Sequence, residues 1–224
     1  MPTDLRTHAI VLRRTNYGES DRILNLLTPE GKISVLAKGV RKEKSKLAGS
    51  IELFSVGDVV IHQGRGNLAI LTSAKLICFY NNILTDITRL ELASDFLKKA
   101  EKVSEQTDNP DYFELTKQAL AGLHQHLNPV VVKSWFLLNL AQAIGEEINL
   151  TADVDGMALM PDGRYFWDHA ESALHKSPQG QISAPEIKLA RLILTSRLST
   201  IARISGANDL IDALTPIVRA YEHI

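Results

Sequence analysis

Cysteine is nearly absent from this chain of 224 residues: the only one is Cys78, inside the apolar run LICFY. A lone thiol cannot form an internal disulfide, and it cannot supply the several thiolates of a structural zinc site. We interpret Cys78 as a small buried apolar residue. The start, Met-Pro-Thr-Asp, lacks the basic and apolar regions of a secretory signal, which predicts a cytoplasmic protein.

Long apolar runs and catalytic signatures are missing as well. No run reaches the roughly 18 residues that a membrane span needs. The sequence contains neither a phosphate-binding G-x-x-x-x-G-K-[ST] loop nor a G-x-S-x-G nucleophile elbow. His124 and His126 are two residues apart, so on a helix they point to different faces and make a poor metal pair. We therefore predict a protein that is not an enzyme and uses no metal or cofactor.

The net charge is only −1, but its distribution is uneven. Residues 1–75 carry 12 Lys and Arg against 7 Asp and Glu, whereas the rest of the chain carries 13 against 19. This asymmetry predicts a basic binding face on the first part. The acidic remainder argues against a polyanion that wraps the whole protein.

The first third of the chain has the pattern of short β-strands. Five apolar runs are separated by turn residues, notably Pro29-Glu30-Gly31 and Gly64-Arg65-Gly66-Asn67. The runs cover residues 9–12, 22–28, 33–38, 56–63 and 68–74. Five such strands predict a small barrel of the OB type over residues 1–80.

From about residue 83 the apolar period becomes helical, with Ile83, Ile87, Leu90 and Leu97 near one face. Further helices are predicted over 112–127, from Pro129 to about 145, and from the capping box of Ser183 and Glu186 to a stop at Gly206. A last helix from about 208 is interrupted by Pro216. Residues 146–180 are predicted to be irregular. The predicted fold is α+β: the barrel, then an α-helical domain over residues 81–224.

Basic residues are concentrated directly after the third predicted strand. A phosphate chain is bound by several long cations on one surface, and Tyr17 could stack on a base. The alternative is a merely solvated loop. Glu19 and Asp21 are interpreted as part of a turn that is salt-bridged to Arg22. The predicted DNA-binding residues are Arg13, Arg14, Tyr17, Arg22, Lys38, Arg41, Lys42, Lys44, Lys46 and Arg65.

A second set of cations lies on the predicted helices. An amphipathic bundle with a basic rim could accept a short acidic peptide that ends in an apolar residue. An ordinary solvated helix face is the alternative. The predicted groove residues are Arg89, Lys98, Lys102, Lys117 and Lys133.

The ordered motifs of the first 80 residues resemble the amino-terminal barrel of the RecO family of bacterial DNA repair proteins. They include VLRR at 11–14, YGESDR at 17–22, AKG at 37–39 and KSK at 44–46. The resemblance implies a recombination mediator that binds single- and double-stranded DNA and anneals complementary strands. The partners it implies are RecR, the tail of the single-stranded DNA-binding protein and, indirectly, RecA. It also implies a nucleoid-associated location.

This sequence departs from the family at one place. Many members carry a four-cysteine zinc module in the region that matches residues 150–175, where this chain has no cysteine. We predict no zinc there and leave the role of the segment open. Two other functions remain as alternatives: an OB-fold module that serves RNA or translation, and, third, a hydrolase or transferase.

Overall fold

The computed structural model describes residues 3–63 and 68–224. Five strands come first: β1 Thr3–Tyr17, β2 Asp21–Thr28, β3 Gly31–Ala37, β4 Ser55–Gln63 and β5 Ala69–Phe79. They form a closed barrel in the order β1-β2-β3-β5-β4. All pairings are antiparallel except β3 with β5, where Val35 pairs with Ala69 and Leu36 with Ile70. The predicted OB-type barrel in an α+β fold is confirmed, while the predicted connection over 64–67 lies outside the described residues.

Alternating apolar residues fill the barrel. Ala9 and Val11 of β1, with Leu24 and Leu26 of β2, are among the residues of one buried cluster. The predicted turn between β2 and β3 is present, and Gly31 there has a φ of 113°, which a side chain rarely tolerates. Because side chains alternate along a strand, the residues between these inward positions project outward.

Strands β1 and β5 are longer than predicted, since polar residues interrupt their apolar runs. In β1 the pairing with β2 shifts between Val11 and Arg13, which is a β-bulge. Strand β5 continues through Cys78, which is half-buried rather than fully buried. The bulge fixes the face of β1 to which Arg13 projects.

Two helices, α1 Ile87–Val103 and α2 Asp111–His124, contact β1 and β2. The outward-facing Ile10, Leu12 and Leu27 of these strands are buried, so the barrel has an apolar outer patch beneath a helical cover. Asp86 caps α1 by accepting a hydrogen bond from the backbone N–H of Arg89 at 3.2 Å. Ile87, expected on the apolar face, is instead 68% exposed.

The second part of the chain is mostly helical. Its longest helix, α3 Pro129–Ala143, is buried along most of its length, including Trp135 and Phe136. Shorter helices follow: α4 Ala184–Thr195, α5 Leu198–Ile201, α6 Ala207–Leu210 and α7 Thr215–Ala220. The capping box of Ser183 and Glu186 is confirmed, with the Glu186 carboxylate accepting from the Ser183 backbone at 2.8 Å.

The prediction that residues 146–180 are irregular was wrong. This segment contains a sheet in the order β6-β8-β7, from β6 Asn149–Asp153, β7 Tyr165–Asp168 and β8 Ala173–Lys176. Two helical predictions are correct only in part. The helix expected to continue to Gly206 stops at Thr195, where α3 side chains donate to backbone carbonyls: Asn139 to Ile193 O and Trp135 to Ser196 O. A helix does begin near residue 208, as α6, but Pro216 does not interrupt a helix, since it lies in the first turn of α7, where its missing N–H costs little.

Backbone contacts divide the chain into two compact units, Met1–His124 and Gln125–Ile224. The first unit holds the barrel with α1 and α2. The domain boundary near residue 80 therefore stays a prediction.

Candidate nucleic-acid interface

The segment that follows β3, residues 38–46, is called the basic loop below. Hydrogen bonds from Arg41 to two backbone carbonyls hold it against the turn between β1 and β2. The Arg41 N–H donates to Ser20 O at 2.9 Å, and the Arg41 guanidinium donates to Gly18 O at 3.1 Å. Two successive turns shape the loop, with Lys42 N–H donating to Gly39 O and Ser45 N–H to Lys42 O. The two connections thus lie together at one end of the barrel.

Asp21 anchors the start of the basic loop. Its Oδ1 accepts a hydrogen bond from the Gly39 N–H at 2.7 Å and one from the Ser20 hydroxyl at 3.0 Å. The Gly39 bond is the main reason that the pKa of Asp21 lies below its usual 3.8, and the charges of Lys38 and Lys42 add to it. The expected salt bridge with Arg22 is not what holds Asp21, because the Arg22 Nε donates to Asn16 at 3.2 Å. A carboxylate with a backbone partner cannot be distinguished by sequence from one in an ion pair.

A buried side chain fixes the loop on the barrel. Val40 is 2% exposed and belongs to the barrel's apolar cluster. Its neighbour Gly39 has a φ of 64°, a left-handed conformation that glycine adopts without strain. The loop is therefore held at a defined position while its long side chains remain outside.

All five cations of the basic loop are exposed, and none of the ion pairs found among the described residues includes them. The five are Lys38, Arg41, Lys42, Lys44 and Lys46. Only Glu43 interrupts the positive charge within the loop. Exposed cations without a carboxylate partner are available to phosphate groups, and each phosphate neutralised releases a counterion.

Two other predicted residues lie beside this loop. Tyr17 ends β1 opposite Asp21 and is 55% exposed, so its ring can stack on an unpaired base. Arg22 is half-buried and pairs with Ala37, the residue that precedes the loop.

The arginines of β1 are placed differently. Arg13 forms an ion pair with Glu101 of α1 at 3.2 Å, and Arg14, whose side chain is 24% exposed, pairs with Glu52. Both cations are neutralised by the protein itself, so they do not extend the free charge of the basic loop. Arg65 lies outside the described residues.

The cations predicted to frame a peptide groove do not share one environment. Arg89 is only 8% exposed, and its guanidinium donates to Leu123 O at 3.0 Å, so the prediction that it rims an open groove was wrong. Lys117 pairs with Glu114 at 3.1 Å, and Lys133, in the second unit, pairs with Glu222 at 2.5 Å. Lys98 and Lys102 are exposed one helical turn apart on α1.

Two kinds of feature are absent from the part of the chain that the structure describes. Over residues 3–63 and 68–224, no group of three or more His, Cys, Asp and Glu side chains is arranged to hold a metal ion. Within the same ranges, no helix is both long and apolar enough to cross a membrane.

A closed five-stranded barrel with a fixed, exposed basic loop defines the chain as an OB-fold protein of the nucleic-acid-binding class. Comparison with protein families makes this specific. The family model described as Recombination protein O N terminal matches residues 1–80, and that described as Recombination protein O C terminal matches residues 84–223. The chain belongs to the RecO family.

Curated relatives agree with this assignment. The DNA repair protein RecO of Dehalococcoides mccartyi (strain CBDB1) is 30% identical, over 98% of this chain and 89% of that protein. The RecO of Roseiflexus sp. (strain RS-1) is 32% identical over 70% of this chain and 61% of its own length. That of Listeria monocytogenes serotype 4a is 27% identical over 96% and 87%. Family membership supports a role in DNA repair and recombination.

Proposed function

We propose that this protein is a recombination mediator that binds single- and double-stranded DNA through the basic loop. The observation that carries the proposal is the set of five exposed cations, outside the ion pairs of the described residues, on a loop anchored by Val40 and Asp21. Contacts to phosphate do not depend on the base sequence, and both single strands and duplexes can make them. Tyr17 adds a stacking face for unpaired bases, and Arg22 adds a cation at the edge of the loop.

Annealing follows from the same chemistry. The basic loop screens the phosphates of two strands and lowers their mutual repulsion, while the bases remain free to pair. This requires neither nucleotide hydrolysis nor a covalent intermediate, and we propose that the protein acts without catalysis. The RecO family assignment favours DNA over the RNA or translation role that the sequence left open.

The proposed partners follow from family membership together with the charge on α1. We infer that the protein works with RecR and recognises the acidic tail of the single-stranded DNA-binding protein, with Lys98 and Lys102 as contacts for that tail. In this way it assists RecA to load on coated DNA. Its proposed location is the cytoplasm, in association with the nucleoid.

The salt dependence of binding tests the basic loop. If about five phosphates are neutralised, the logarithm of affinity for a single strand falls with the logarithm of salt with a slope of roughly −3.5. The charge reversal Lys42→Glu with Lys44→Glu should reduce the magnitude of the slope from about 3.5 to about 2 or below, weaken binding by at least about tenfold at 0.1 M salt and abolish annealing. Fluorescence anisotropy and a strand-annealing assay measure these quantities.

A matched control reverses two exposed cations of the second unit, Lys188→Glu with Arg203→Glu. This variant has the same net charge as the loop variant, and we expect its salt slope and annealing rate to stay near those of the parent. A parent slope near zero, or equal losses in both variants, contradicts the proposal.

A further inference from the structure

The outward faces of β1, β2 and β3 form one continuous surface, because paired residues of neighbouring strands project to the same side of a sheet. After the bulge, Arg13 pairs with Asn25, and Asn25 pairs with Ser34. The next outward row contains Thr15 and Ile23, and the last row contains Tyr17 beside the basic loop. In barrels of this class the strand face is a place where oligonucleotides bind.

The carboxyl end of α1 occupies the half of this face that is farther from the basic loop. Glu101, whose side chain is 15% exposed, forms an ion pair with Arg13, with 3.2 Å between Arg13 Nε and Glu101 Oε1, and accepts a hydrogen bond from the Asn25 side chain. Glu105, just beyond the helix, accepts from the Lys32 Nζ at 2.6 Å. This bond is the main reason that the pKa of Glu105 is lowered, so the contact is charged near neutral pH.

Among the described residues, no ion pair joins a carboxylate of α1 to the half of the face nearer the basic loop. The carboxylate of Asp21, opposite Tyr17, accepts from the Gly39 N–H and the Ser20 hydroxyl. Thr15 and Tyr17 are exposed, and Ile23 is half-buried. The face is therefore divided between an open part that continues into the basic loop and a part whose cations are already neutralised.

We propose that Glu101 and Glu105 compete with nucleic-acid phosphate for Arg13 and Lys32, and thereby limit how far a strand extends across the barrel from the basic loop. The inference rests on the proposed function, since it concerns how many phosphates the same DNA-binding surface contacts and with what affinity. Carboxylate and phosphate oxygens accept from guanidinium and ammonium groups in the same way, so either group can hold these two cations.

Removing the two carboxylate charges should extend the DNA-binding surface from the basic loop to Arg13 and Lys32. Glu101→Gln with Glu105→Gln keeps the side-chain size and an acceptor oxygen, but it frees Arg13 and Lys32 for phosphate. Two additional phosphates steepen the salt slope for a 20-nucleotide strand by about 1.4, from roughly −3.5 to roughly −4.9. Affinity at low salt rises about tenfold. A 6-nucleotide strand has about five phosphates, which the basic loop already neutralises, so it gains much less.

The experiment measures anisotropy of labelled oligothymidine with the full chain over a range of salt. The control, Glu91→Gln with Asp111→Asn, removes two exposed carboxylates from α1 and α2 that belong to none of the ion pairs among the described residues, and it alters the net charge equally. We expect it to leave the slope unchanged. A second pair of substitutions tests whether Arg13 and Lys32 make the additional phosphate contacts. Arg13→Gln with Lys32→Gln should have little effect in the parent. Combined with Glu101→Gln and Glu105→Gln, it should restore the parent slope.

The outcomes separate the inference from the proposed function. An unchanged slope in the variant that lacks both carboxylate charges, or an equal gain in the control, overturns the inference while the parent still binds DNA. Loss of affinity on Arg13→Gln with Lys32→Gln in the parent also overturns it, because these cations would then already contact phosphate. A parent that shows no salt-dependent binding contradicts the proposed function itself.

Discussion

Asp21 shows how a single carboxylate sets the geometry of the basic loop. Its bond to the Gly39 N–H fixes the point at which the backbone leaves β3, and the pKa of Asp21 is lowered mainly by that bond. A carboxyl whose pKa is lower in the folded protein stabilises the folded form above the unfolded pKa and loses this contribution as the pH falls through the folded value.

We therefore expect the amide resonance of Gly39 to be constant from neutral pH down to about pH 4 and to titrate with a midpoint below 3.8. The measurement is a series of ¹H–¹⁵N spectra with falling pH. The variant Asp21→Asn, which cannot titrate, should leave that resonance flat over the same range. A midpoint at or above 3.8 contradicts the proposed anchoring.

At the residue scale, the sequence predicts whether a side chain is exposed better than it predicts which groups the side chain contacts. The exposure of Lys42 and Lys44 follows from charge alone. The partner of Asp21 does not, since it is a backbone amide 18 residues away. Arg89 was expected at an exposed rim, but a buried carbonyl accepts from its guanidinium, and composition gives no sign of that.

Among the elements, α1 combines a buried side with an exposed one. Phe96 and Leu97 are buried, whereas Lys98 and Lys102 are exposed. Residues four apart lie on one helical face, so these two cations can contact one acidic peptide together.

The reversal Lys98→Glu with Lys102→Glu should weaken binding of an acidic tail peptide of the single-stranded DNA-binding protein by about fivefold to tenfold, because two exposed charge contacts contribute modestly. A pull-down against the immobilised peptide, with and without its terminal apolar residue, measures this. The DNA salt slope should not change in the same variant. Undiminished peptide capture would place the peptide contact elsewhere.

Elements with strong local signals were predictable, and those that depend on distant partners were not. The turn at Gly31 and the capping box at Ser183 are encoded within four residues. The sheet β6-β8-β7 has strands of only four or five residues, and their pairing partners are set by tertiary contacts that periodicity does not reveal. The contact between Asn25 and Glu101 spans 76 residues and is likewise invisible in the sequence.

At the scale of the whole molecule, the charge asymmetry has a structural counterpart. The basic loop, the bulged strand and the acidic end of α1 all belong to the first compact unit. The proposed attraction and the proposed restraint of a polyanion thus involve the same unit, Met1–His124. A low overall charge therefore gives no measure of the affinity for DNA, which depends on the local field.

The parallel seam between β3 and β5 has a dynamic consequence. Two residue pairs close the described barrel there, whereas β1 and β4 share eight. Local opening begins where the fewest backbone hydrogen bonds must break, so we expect the barrel to open locally between β3 and β5. Deuterium uptake at Ala69 and Ile70 should then outpace uptake at Val59 and Ile61. Uniform protection around the cylinder would contradict this expectation. Since the basic loop directly follows β3, this local opening would let the loop adjust to nucleic acids of different width.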